Sequence, residues 1–208
     1  MIHGYHLILS CYGFWLPRDP RGNWSEVIRK WDHMRTGAKQ EPIDSRSLQE
    51  LTPEEVLARD VARSALAYPA VELTGRQAAA VARGFAALAA SANYTLWACS
   101  ILPAHSHLIV ARHTYHIEQI ARLLKGAATR QLIQERCHPL ADFAEPGHRP
   151  PSMWSESEWK VYLDSEQAIE NAIAYVEQNP LKEEKPRQAW KFVTPFAGLP
   201  SAGWVTYH

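Results

Sequence analysis

Apolar residues recur with two different periods along this chain, and the switches between them mark its elements. YHLILSC, residues 5–11, is a short apolar run of β-favouring side chains and predicts a strand. YGFWLPRDPRGNW, residues 12–24, is dense in proline, glycine and aromatic residues and predicts a structured loop. Residues 36–53 are mostly polar, as on a surface excursion. A helix start follows over 52–66, with Thr52 as N-cap, Pro53 in the first turn and Glu55 placed for a capping box. Residues 74–93 are alanine-rich with apolar positions at helical spacing, which predicts a helix. Two strands, 94–102 and 107–113, are joined by a tight Pro-Ala turn. A long helix over 116–136 carries Ile117, Ile120, Leu123, Leu124, Leu132 and Ile133 on its buried side. Beyond a Pro/Gly loop over 137–152, residues 158–163 predict a short strand. Residues 164–180 predict a last helix, capped by Ser165 or Asp164 and stopped by Pro180.

With residues 12–73 set aside as an insertion after the first strand, the order is βαββαβ plus a terminal helix. That pattern predicts an α+β class: a ferredoxin-like antiparallel sheet with helices on one face, in a single domain over 1–208 with 194–208 as a tail. A fold of this kind does not specify an activity.

Composition narrows the field. The chain is 46% hydrophobic and 21% charged, too apolar for disorder. Three cysteines without a CxxC pair suit a reducing compartment, and no stretch is long and apolar enough for a membrane span, so the expected location is the cytoplasm. Twenty-two basic residues balance 22 acidic ones, which counts against a protein that blankets duplex DNA. The distribution is uneven: residues 112–136 hold Arg112, Arg122, Lys125, Arg130 and Arg136 against Glu118 and Glu135, whereas 41–60 are acidic.

Candidate chemistry begins at ILPAHSHLIV, residues 101–110. Alternate strand residues share a face, so His105 and His107 would point the same way, about 6–7 Å apart. That geometry suits a divalent metal held by two neutral imidazoles, and it equally suits two surface histidines. In AYVEQNPLK, Tyr175 and Asn179 are four residues apart and share a helix face. Either a core aromatic beside a helix cap or a working pair fits that spacing. Two imidazole nitrogens and one amide oxygen make a three-ligand set with open positions, usable by Mg²⁺ or Mn²⁺, with nitrogen donors favouring the later metal. A tyrosine one turn away would then be placed as a nucleophile.

Three stretches together resemble the single-tyrosine HUH transposases, especially the REP-associated tyrosine transposases and their insertion-sequence relatives. LPAHSHLIV is similar to that family's histidine–hydrophobe–histidine strand, YVEQNPLK to its tyrosine helix, and YHLILSCYGFWLPRDPRGNW to the opening strand and loop of one branch. The resemblance implies a nuclease of hairpin-forming single-stranded DNA in which Tyr175 attacks a phosphodiester, leaving a 5′-phosphotyrosine link and a free 3′-hydroxyl. It implies that His105, His107 and Asn179 ligate Mg²⁺ or Mn²⁺, and that the protein acts as a monomer or a homodimer. Two positions depart from the family pattern: Ser106 replaces the hydrophobe between the histidines, and Ala104 replaces an acidic residue before them. Loss of that acid would lower metal affinity if it orients an imidazole.

For substrate contacts, Arg122, Lys125 and Arg130 are candidate phosphate ligands, with Gly126 allowing close approach of a backbone. Arg18 and Arg21, set among Trp15 and Trp24, combine cations with faces on which unpaired bases stack. Two other readings of the chain differ in chemistry. One is a domesticated DNA- or RNA-binding protein that no longer cleaves. The other is a hydrolytic metalloenzyme using water, which would need a carboxylate near the metal; Glu177 points to another helix face.

Overall fold

The computed structural model describes residues 1–14, 52–156 and 158–199. Its strands are β1 (Gly4–Ser10), β2 (Leu96–Ile101), β3 (His105–Ala111) and β4 (Trp159–Leu163). Its helices are α1 (Pro53–Ser64), α2 (Gly75–Ala92), α3 (Ile117–Gln134) and α4 (Glu166–Lys182). The fold is α+β: a four-stranded sheet in the order β2-β3-β1-β4, with every neighbouring pair antiparallel.

Strand alternation divides the apolar residues between two faces. Leu7, Leu9, Leu108 and Val110 point to one side and form the larger core with Phe85 of α2 and Ile120, Leu124 and Leu132 of α3. Ala98, Ile109 and Leu163 point to the other side and pack on Ile169, Ala172 and Val176 of α4. Helices therefore cover both faces rather than one. The expectation of helices on one face holds for α2 and α3, and the terminal helix takes the opposite side.

Local chemistry explains the helix limits. Thr74 caps α2 in a capping box: the Gln77 N–H donates to Thr74 Oγ1 at 3.3 Å and the Thr74 N–H donates to Gln77 Oε1 at 2.8 Å. Asn93 ends α2 in the left-handed region at φ 56°. Helices α2 and α3 meet backbone to backbone at Gly84, where an added Cβ would lie 2.7 Å from Ala128 Cα. Ser165 caps α4 by accepting from the Ala168 N–H.

Two boundary expectations change. Helix α4 does not stop at Pro180 but runs to Lys182, because a proline this near the end removes one bond while its buried ring packs inward. Strand β3 begins at His105 rather than 107, so both histidines belong to the ladder. Ile133, expected on the buried side of α3, is 38% exposed; it lies one step round the helix from Leu132, which takes the core position.

The outer edge of β2 is covered by the segment after α4. The Gln188 carboxamide bonds both backbone groups of Ile101, accepting from its N–H and donating to its carbonyl, each at 2.8 Å. Six residues on, the Thr194 N–H donates to Leu96 O.

Candidate active site

The face of the sheet under α4 is not uniformly apolar. In β1 it carries His6, Ile8 and Ser10; in β3 it carries His105, His107 and Ile109. The antiparallel register sets Ile8 opposite His107 and Ser10 opposite His105, which leaves His6 diagonal to His107. His6 Nε2 and His107 Nδ1 are 2.9 Å apart, a hydrogen bond between two buried rings. The His105 ring stands edge-on to His107 with centroids 4.8 Å apart and stacks on Phe14 at 4.7 Å. Three imidazoles thus form one continuous row.

Helix α4 lays a second row across the first. Residues 175, 179 and 183 are four apart and share one face. The Tyr175 ring is 5.6 Å from His107 and 5.9 Å from His6, centroid to centroid. At the other end, Glu183 Oε1 is 3.8 Å from His105 Nε2. Asn179 lies midway between them along that face and is buried. The Lys182 ammonium sits 4.5 Å from the centre of the Tyr175 ring.

Burial sets the protonation states. It pushes His6 down to about 3, and it holds His107 well below its usual range, helped by the neighbouring His105, His6 and Lys182. Both rings are neutral at pH 7, the form that carries a lone pair for a metal. Burial also raises the Tyr175 hydroxyl, and the nearby Glu183 carboxylate adds to the rise. Attack by this oxygen thus requires a group that takes or offsets its proton.

The hydrogen bond between His6 and His107 admits two tautomers. With His107 donating from Nδ1, its Nε2 keeps a lone pair; with His6 donating, that nitrogen carries the proton instead. Among the described residues no three His, Cys, Asp or Glu side chains are placed to hold a metal ion. The donor set in view is two imidazoles and one amide, and Asn179 Nδ2 is buried without a hydrogen-bond partner among the described residues. Imidazole nitrogen and amide oxygen are donor types that suit a divalent ion such as Mn²⁺.

Of the residues expected from the sequence, Tyr175 is brought against His107, and His105 and His107 against each other. His6, Lys182 and Glu183 complete the cluster and were not foreseen. The period-2 signal places His6 with Ile8 and Ser10, but only the long-range register joins it to His107. Glu177 is exposed, as its helix position implies. Arg122, Lys125 and Arg130 lie on α3, which packs on the other side of the sheet. Lys125 Nζ is held by Ser155 O at 3.1 Å and Glu158 Oε2 at 3.3 Å, whereas Arg122 and Arg130 are exposed. Arg18 and Arg21 lie outside the described residues.

No helix among the described residues is long and apolar enough to cross a membrane. No family model matches the chain, and no curated protein does. Among solved structures it is similar to a candidate transposase from Deinococcus radiodurans R1, at 16% identity and a TM-score of 0.38, over 89% of this chain and 92% of that one.

Proposed function

We propose that this protein is a metal-dependent endonuclease and strand transferase of single-stranded DNA, with Tyr175 as the nucleophile. The observation that carries the reading is the contact of the Tyr175 ring with the hydrogen-bonded pair His6–His107, 5.9 and 5.6 Å between centroids. The order of elements and the strand order β2-β3-β1-β4 support a ferredoxin-like core beneath that site.

His105, His107 and Asn179 would hold Mg²⁺ or Mn²⁺, which when bound polarises the scissile phosphate and offsets developing charge. The chain's own groups do the rest. The Tyr175 oxygen attacks phosphorus, forming the P–O bond to tyrosine while the bond to the 3′-oxygen breaks. The phenol proton is lost, and the departing 3′-oxygen takes up a proton to become a hydroxyl. Lys182, over the ring, favours the phenolate and opposes the effect of burial and Glu183. Strand transfer is the reverse step: a 3′-hydroxyl attacks the tyrosine–phosphate bond and frees the phenol, so no external energy source is required.

One observation favours a second reading, in which water attacks. It requires a carboxylate at the histidines, and Glu183 provides one 3.8 Å from His105. Labelled single-stranded oligonucleotides bearing hairpins, incubated with Mg²⁺ or Mn²⁺ and run on a denaturing gel, separate the two. A DNA-linked protein band that needs metal and is absent from Tyr175→Phe is the expected result. Cleavage that survives Tyr175→Phe and is lost in Glu183→Gln assigns the work to water. Binding without cleavage assigns the chain to the non-cleaving nucleic-acid binders.

A further inference from the structure

On the side of the molecule away from Tyr175, a cavity of about 810 Å³ lies between α3 and residues 148–156 with Glu158. One wall is a single face of α3: Arg122, Gly126 and Arg130 are four residues apart, so the two guanidinium stems are separated by ~12 Å along the axis. Gly126 keeps the space between them open, since an added Cβ there would meet nothing within 4 Å but Arg130 Nη1, at 3.4 Å. The opposite wall carries His148 and Arg149. The floor is fixed by Trp154, whose indole N–H donates to Lys125 O and Thr129 Oγ1.

The charges in this cavity are not balanced. Glu118 is engaged by Lys160 and Glu158 by Lys125. Among the described residues Arg122, Arg130 and Arg149 form no ion pair or side-chain hydrogen bond, and Glu156 is the lining carboxylate left to face them. In a chain of zero formal charge, three unneutralised guanidiniums around one cavity are a concentrated anion site. Their spread exceeds what one small anion can touch at once, whereas a chain of phosphates meets them in succession.

The cavity is joined to the site. Ser155 on its rim bonds Ser10 O through both its N–H, at 2.9 Å, and its hydroxyl, at 3.2 Å, and Ser10 is the register partner of His105. Trp159, just beyond the rim at the start of edge strand β4, packs against His6 with centroids 5.9 Å apart.

We propose that this cavity holds the sugar–phosphate backbone of the single DNA strand that leads round the β4 edge to Tyr175, with Arg122, Arg130 and Arg149 as its phosphate contacts. The inference rests on the reading of Tyr175 as a DNA-cleaving residue and adds the path of the substrate. Lys125 is scaffold in this assignment, because its ammonium is spent on the rim. A duplex carries its phosphates on a wide, stiff cylinder that a cavity of this size does not admit.

The test is fluorescence anisotropy of a labelled single-stranded oligonucleotide over a range of salt, with metal chelated so that nothing is cleaved. Each phosphate contact on a single strand contributes about 0.7 to the slope of log K against log salt. The R122A/R130A/R149A variant is expected to bind at least tenfold more weakly at low salt, with a slope smaller by about 2. Arg149→Glu alone, on a loop outside the helix packing, keeps the test alive should the triple variant fold poorly; it is expected to weaken binding and flatten the slope. Lys125→Ala is expected to leave the slope unchanged. An unaltered slope in the arginine variants, no binding of single strands by the wild type, or tighter binding of the matching duplex would each overturn the proposal. Failure of the Tyr175 reading shows elsewhere, as the absence of a covalent adduct while the arginine-dependent slope persists.

Discussion

His6 is the residue on which the site's order depends. It is fully buried, neutral, and hydrogen-bonded through Nε2 to Nδ1 of His107. If His107 donates from Nδ1, His6 does for it what a carboxylate does in many metal sites, fixing the ring and leaving Nε2 bare. Residue 104 is alanine, and His6 is placed to orient the His107 ring from another strand. His6→Ala is therefore expected to lower Mn²⁺ affinity by about 10- to 100-fold, with His6→Gln recovering part of it through its amide oxygen. Titration of free Mn²⁺ by electron paramagnetic resonance measures both. Equal affinity in wild type and His6→Ala would remove His6 from the site. The spacing of His105 and His107 and that of Tyr175 and Asn179 were legible in the sequence, because each is local. His6 was not, because its partner is 101 residues away and nothing in YHLILSC announces the pairing.

At the scale of elements, α2 and α3 form the most closely fitted pair. Contact at Gly84 brings the backbones together, and Arg83 then spans the pair, its Nε and Nη2 each 2.6 Å from a different oxygen of Glu135. The Arg83 guanidinium, with Gln131 beside it, holds the Glu135 carboxyl down to about 2. A carboxylate with a depressed folded-state value contributes stability above its unfolded range and loses it as pH falls through the folded value. The clasp therefore strengthens folding above about pH 4.5 and fades towards pH 2. The gap in melting temperature between wild type and Arg83→Ala is expected to narrow over that interval. A constant gap would mean the clasp is too solvated to count, as many exposed pairs are. The helices themselves were legible from alanine-rich and apolar periodicity. Their ends were less so: Pro180 signals a stop, yet the helix continues because a buried ring offsets one missing bond near the terminus.

Considered whole, the molecule spends its two sheet faces differently. One is a continuous apolar core under α2 and α3; the other gives up part of its apolar area to a row of histidines under α4. Strand order and the side taken by the last helix depend on pairing between distant segments, which the pattern along the chain does not encode. The alternation within each strand does, and it placed His105 and His107 together.

The carboxamide of Gln188 has a consequence for how copies of this protein meet. A primary amide offers one donor group and one acceptor in the geometry of a peptide unit, and here it occupies both groups of Ile101 as a neighbouring strand would. It is a counterfeit rung that ends the ladder on that side. The opposite border, β4, is a poor template for a different reason: it is five residues long and carries Lys160. Gln188→Ala is expected to leave the fold in place but to add a concentration-dependent larger species in light scattering. Unchanged monodispersity would show that Thr194 and its neighbours suffice as the border. Growth of the sheet from molecule to molecule is thus refused by a side chain that imitates what it excludes.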